Sequence, residues 1–214
     1  MSPSLQAAQT LALDGPAGAL EALLEDPQTS PPRGFAVICH PHPLYGGTMQ
    51  NKVVHTLARA CRECGMASLR FNFRGIGGSA GSYDEGRGEV DDVLAVTAWG
   101  RARWPQLPLT LAGFSFGAMI SLRAAMQASP ARLISVAPAV AHVQYASASR
   151  PDCPWLIVQG DADELVNVQD VRAFAARFES PPRLVELPGV DHFFHGRLTD
   201  LRIQVVDFLN AEAR

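Results

Sequence analysis

Short apolar runs recur along the chain, separated by longer stretches in which apolar residues return every three or four positions. Phe35–Cys39 is apolar throughout, as a strand covered on both faces must be. Ala67–Phe73, Leu107–Ala112, Leu133–Ala137, Trp155–Gln159 and Arg183–Leu187 read as further strands. Between them the spacing predicts helices. Asn51–Cys64 places Val54, Leu57, Ala58 and Cys61 on one stripe, with Gly65 where a helix-ending glycine belongs. Glu89–Arg103, Phe116–Ala128, Val168–Phe178 and Arg197–Leu209 are the other helical segments. Ahead of all these, Thr10–Leu13 and Gly18–Leu24 flank Asp14-Gly15-Pro16 and predict an antiparallel pair of edge strands; Asp26–Gly34 is a proline-rich loop. Strands alternating with helices give an α/β fold: a mostly parallel sheet of about eight strands with helices on both faces. In such sheets functional residues gather on loops at the carboxyl ends of the strands. Here the loops after Cys39, Ala112, Gln159 and Leu187 carry residues suited to chemistry.

Composition narrows the class. A chain of 214 residues fits one domain, 1–214, long enough to bury roughly 70% of its unfolded surface. Hydrophobic residues make up 47% and charged residues 18%, which is a packed rather than a disordered composition. The net charge is −3, and no basic run is present to track phosphates, so nucleic acid is not an expected partner. No stretch approaches the ~18 apolar residues of a membrane span, and no basic start followed by an apolar block marks a secretory signal. The four cysteines, Cys39, Cys61, Cys64 and Cys153, do not make a disulfide framework and suit a reducing cytoplasm. Cys61 and Cys64 form one CxxC, but zinc would need two more ligands, and no second pair appears.

The sharpest chemical signal is Gly113-Phe114-Ser115-Phe116-Gly117, between an apolar strand and a helix. A G-x-S-x-G turn there is so tight that side chains at the flanking positions would clash, hence the glycines. It lifts Ser115 Oγ clear of the sheet and aims a helix N-terminus at the reaction centre, where anionic charge is favoured. A serine hydroxyl is a poor nucleophile and needs a base. Downstream, Gly160-Asp-Ala-Asp-Glu-Leu-Val166 follows one strand and Pro188-Gly-Val-Asp-His192-Phe-Phe-His195 follows the next, giving the chain order serine, acid, histidine. Asp161, Asp163 and Glu164 all qualify as the acid, and His192 and His195 as the base.

These pieces, together with Cys39-His-Pro-His-Pro-Leu-Tyr-Gly-Gly47 and Phe71-Asn-Phe-Arg-Gly-Ile-Gly-Gly-Ser79, resemble the α/β-hydrolase superfamily over nearly the whole chain. The resemblance is greatest to small lidless bacterial serine hydrolases with a His-Pro-His-Pro loop. It implies that the Gly-x-x-Asp pattern selects Asp163 as the acid, and that His192 is the base. It also implies an oxyanion hole built from the Phe116 N–H and an N–H of the loop after Cys39. Pro41 and Pro43 have no N–H, which leaves Leu44 first and Tyr45 second. His40 and His42 supply at most two of the three protein ligands a catalytic zinc needs, so no metal is expected and the histidines are read as shaping the loop. Gly75-x-Gly77 follows the fourth strand rather than the first, so it is the family's backbone turn and not a dinucleotide site. Only Pro138–Pro154 separates two strands where many relatives insert a lid, which implies an open site. The expected reaction is acyl-enzyme hydrolysis of a small-molecule carboxylic ester or thioester with a small acyl part, without a cofactor. The rivals are a peptidase or amidase using the same residues and a non-catalytic binding module on the same fold.

Overall fold

A computed structural model describes residues 8–27, 31–141 and 149–211. Eight strands form one sheet: β1 (Gln9–Gly15), β2 (Gly18–Glu25), β3 (Gly34–Cys39), β4 (Met66–Phe71), β5 (Leu109–Phe114), β6 (Arg132–Val136), β7 (Trp155–Gly160) and β8 (Arg183–Leu187). Their order across the sheet is β1-β2-β4-β3-β5-β6-β7-β8. β1 and β2 pair antiparallel, as the Asp14-Gly15-Pro16 turn predicts, and β2 pairs antiparallel with β4. All later neighbours are parallel, so β3 to β8 point their carboxyl ends toward one edge.

Among the described residues, five helices cover the two faces: α1 (Lys52–Glu63), α2 (Arg87–Arg103), α3 (Phe116–Ala128), α4 (Val168–Ala176) and α5 (Leu198–Asn210). Alternation along the strands divides the interior into two cores. Phe35, Val37 and Cys39 of β3 pack into the core shared by α2, α3 and α4, whereas Ala36 and Ile38 pack into the one shared by α1 and α5. Burial on both faces is why these strands read as unbroken apolar runs. Arg70 is among the charges that lie inside. Arg70 on β4 is buried and meets Glu25 at 3.0 Å and the Met49 carbonyl at 2.9 Å, joining the strand to the start of α1. Paired, and hydrogen-bonded at all three nitrogens, it avoids the cost an isolated buried charge incurs.

Several boundaries differ from expectation for local reasons. β4 stops at Phe71 rather than Phe73 because the Asn72 side chain turns away to Met49 N–H and Glu21. α2 begins at Arg87, two residues early, because the buried Glu89 carboxylate accepts the N–H groups of Asp84 and Gly86 in front of it. α4 ends at Ala176, yet Phe178 still packs on Trp155, ring centres 5.4 Å apart. The four cysteines are free and buried, and burial drives the Cys61 thiol up to about 12, so these are inert packing groups. Among the described residues no helix is long and apolar enough to cross a membrane. Of the Pro138–Pro154 connection, residues 142–148 lie outside the described residues.

Candidate active site

The turn from β5 into α3 places Ser115 at φ 54°, ψ −115°, a strained conformation for a residue with a side chain. Ser115 N–H donates to the Val136 carbonyl at 2.9 Å and its carbonyl accepts from Ala118 N–H at 3.1 Å. Bonds on both sides hold the strain in place. The two glycines are required by contact. A Cβ on Gly113 would lie 2.2 Å from the Gly117 carbonyl oxygen, and one on Gly117 would lie 2.4 Å from that of His40. Ser115 is partly exposed while its neighbours on both sides are buried. Phe116 opens α3, where the first N–H groups have no helical acceptor.

The loops after β7 and β8 bring Asp163 and His192 together. His192 Nδ1 donates to Asp163 Oδ2 at 2.8 Å, and both side chains are almost wholly buried. The carboxylate is saturated with donors. Oδ1 accepts Leu165 N–H at 2.9 Å and Val166 N–H at 2.7 Å; Oδ2 also accepts Gln159 Nε2 at 2.9 Å. Burial alone would raise the Asp163 pKa, but the bonds from His192, Val166 and Leu165 outweigh it and hold the group below its ordinary value. The imidazole lies against the Phe114 ring, centres 5.0 Å apart, beside the residue that precedes Ser115. Its backbone N–H reaches Glu164 Oε2 at 3.3 Å.

Asp161 and His195, the rival acid and base, are engaged elsewhere, and Glu164 meets the His192 backbone rather than its ring. Asp161 accepts Gly189 N–H at 2.6 Å and so ties the acid loop to the β8 loop. Gly160 lets these loops close, since a Cβ there would lie 2.1 Å from the Val190 carbonyl oxygen. His195 pairs with Asp191 at 2.7 Å on the exposed surface.

In the loop after β3, His40 is a latch. Its Nδ1 donates to the Pro41 carbonyl at 2.6 Å and its Nε2 accepts Phe73 N–H at 3.0 Å. Full burial lowers its pKa to about 4, so the ring is neutral. His42 Nδ1 accepts Leu44 N–H at 3.2 Å, and its Nε2 meets Tyr83 Oη at 3.2 Å. Each of the two rings holds protein partners at both nitrogens, which ties this loop to Phe73 and Tyr83. Pro43–Tyr45 forms a short 3₁₀ turn that the sequence pattern did not indicate. The two N–H groups expected to complete an oxyanion hole are both donated inside it: Leu44 to His42 Nδ1, and Tyr45 to the His42 carbonyl at 3.1 Å. Tyr45 N–H closes the turn on a backbone carbonyl, whereas Leu44 N–H donates to a side chain. The leucine and tyrosine side chains point to solvent, 65% and 87% exposed.

Two groups that support this site escaped the sequence reading. Gln159 is the penultimate residue of an otherwise apolar strand, four residues before Asp163, and that isolated amide was the available signal. Tyr83 lies in the glycine-rich loop after β4; its ring is 5.1 Å from His42 and 6.0 Å from Phe116. A cavity of about 390 Å³ lies beside the acid, lined in part by Ala139, Asp161, Asp163, Glu164 and Val166.

A sequence profile of the family described as serine aminopeptidase, S33, matches residues 30–151. An uncharacterized protein of Rickettsia prowazekii is 34% identical over 206 residues, covering 92% of this chain and 86% of that protein. A solved α/β serine hydrolase without a lid from Xanthomonas campestris is 45% identical with a TM-score of 0.91, over 95% of this chain and 94% of that one. A solved α/β serine hydrolase homologue from Coxiella burnetii is 49% identical with a TM-score of 0.90, over 93% of this chain and 96% of the other.

Proposed function

From the premise that this chain belongs to the serine aminopeptidase, S33, family and is an α/β hydrolase, we propose that it hydrolyses carboxylic esters or thioesters with small acyl groups, using Ser115, His192 and Asp163. Ser115 Oγ attacks the acyl carbon while His192 Nε2 takes its proton. Asp163 stays ionised and holds the imidazolium through Nδ1. The oxyanion is received by Phe116 N–H and by Leu44 N–H, which trades the neutral ring nitrogen of His42 for a charged acceptor, a stronger bond. His192 then protonates the leaving group, and water repeats the sequence on the acyl-enzyme. No cofactor is needed. The observation that carries this reading is the buried, donor-saturated Asp163 at 2.8 Å from His192 Nδ1, whose ring lies 5.0 Å from that of Phe114, the residue before a serine held on a strained elbow. Four free, buried thiols accord with a reducing cytoplasm.

The test is labelling with a fluorophosphonate followed by peptide mapping. One label on Ser115, absent from Ser115→Ala, is expected; no label, or a label elsewhere, overturns the proposal. Peptide or amide hydrolysis is the second reading, favoured by the aminopeptidase description of the matching family. A panel of esters, thioesters and aminoacyl amides separates the two by kcat/KM.

A further inference from the structure

Gln159, the penultimate residue of β7, is fully buried. Its amide nitrogen has three oxygens within bonding distance: Asp163 Oδ2 at 2.9 Å, Val166 O at 3.2 Å and Gly160 O at 3.2 Å. Turning the amide over would set oxygen against three oxygens, so its surroundings fix its orientation. Its Oε1 has no hydrogen-bond partner among the described residues. An unpaired buried amide oxygen is costly, and a hydrocarbon side chain of the same length would avoid that cost. What recommends an amide here is therefore what its nitrogen donates to, the Asp163 carboxylate and the carbonyls of Val166 and Gly160.

We propose that Gln159 is a positioning residue for the hydrolytic reaction. By donating to the same oxygen of Asp163 that receives the His192 Nδ1 proton, it fixes the carboxylate and sets the basicity of His192. This rests on the reading of Asp163 and His192 as acid and base. Of the four donors to Asp163, two are backbone N–H groups and one is His192 itself; Gln159 is the remaining one. Its dipole draws negative charge from Oδ2 and weakens the pull on the Nδ1 proton. Asp163 then stays ionised when His192 takes the proton of Ser115, and the imidazolium stays acidic enough to pass it to the leaving group. Other titratable groups near the pair are Asp161 and Glu164 on the acid loop, Asp170 on α4, and Asp191 and His195 on the base loop. A change at position 159 leaves all of them in place, so they cancel in a comparison of variants.

Two substitutions test this. Gln159→Met keeps length and removes the donor. Gln159→Glu keeps the shape and donates only while protonated. Ester kcat/KM is measured against pH, with Ser115 labelling by fluorophosphonate alongside. For Gln159→Met, loss of the donor leaves more charge facing His192. The acid limb should move up by about 0.5–1 pH unit, and kcat should fall roughly tenfold with little change in KM. Gln159→Glu should approach wild-type activity at low pH and lose it as pH rises, where the wild type gains. An unmoved acid limb in Gln159→Met overturns the inference, and so does a Gln159→Glu profile that climbs with pH like the wild type. Should Gln159→Met fail to fold, the Gln159→Glu profile decides alone. Absence of label on wild-type Ser115 overturns the underlying hydrolase reading instead.

Discussion

Gly117→Ala tests whether the elbow and the β3 loop form one rigid seat. The new methyl carbon would sit 2.4 Å from the His40 carbonyl oxygen and 2.5 Å from that of Cys39, where 3.0 Å is the practical floor. A separation of at least 0.6 Å must therefore open between α3 and the end of β3. Both obstructing atoms are backbone, so no rotamer relieves the clash. Overpacking of this kind costs about 1–3 kcal/mol, and backbone obstruction places this case near the upper end. For a chain of this size about 3 kcal/mol lowers Tm by roughly 6–12 °C. The displacement also parts Ser115 from the loop expected to receive the oxyanion, and a misplacement of about 1 Å can cost on the order of 10² in rate. Thermal unfolding and the rate of fluorophosphonate labelling measure the two effects separately. Gly189→Ala is the control: no atom lies within 4 Å, and only its positive φ of 66° is penalised. A Gly117→Ala protein whose Tm and labelling rate both match the control would refute the reasoning.

Three further outcomes are expected. Asp163→Asn should lose on the order of 10⁴ in kcat by stabilising the wrong imidazole tautomer, while Asp161→Asn, which still accepts from Gly189 N–H, should stay within a few-fold; ester kinetics in which Asp161→Asn is the more damaged would move the acid to Asp161. His40 is neutral in the fold, with a pKa near 4 against an ordinary 6.5. The unfolded chain therefore binds the extra proton between those values, and about 3 kcal/mol of stability present above pH 6.5 should disappear as pH falls toward 4. Tm measured against pH should be flatter over that window in His40→Gln, which retains an acceptor for Phe73 N–H; identical curves would count against it. Finally, a CH₂ contributes about 0.8 kcal/mol only where it is buried. In an open site, kcat/KM for p-nitrophenyl esters should peak at about two to six carbons and show no jump at the solubility limit; a maximum at twelve carbons or more would contradict this.

Much of this was legible in the sequence because the elements announce themselves through period and punctuation. The apolar runs became β3 to β8, Gly65 ends α1 at φ 76°, and the two glycines around Ser115 are explained by contacts of 2.2 and 2.4 Å. What stayed hidden depends on contacts distant in sequence. Nothing local separates Asp161 from Asp163. One reaches across to Gly189 N–H, and the other turns inward onto two N–H groups of its own loop and onto His192. Only the family pattern separated them beforehand. The 3₁₀ turn at Pro43–Tyr45 was missed because its capping acceptor is a histidine ring, a group absent from ordinary turn signals. Arg70 inside an apolar strand shows the same limit, since its partner Glu25 lies 45 positions away.

The placing of these groups along the sheet also has a consequence in time. The serine follows β5, near the middle, whereas the histidine follows β8, an edge strand held by β7 alone. A ribosome therefore delivers the elbow sequence well before the residue proposed to activate it. A domain generally folds as a unit, so Ser115 and His192 take their places together only when the final strand has docked. After synthesis the same edge is the natural place for local opening, because it has a neighbour on one side only. Fraying of β8 would draw the imidazole away and silence the serine with the rest of the sheet intact, so loss of turnover on warming should precede loss of the fold.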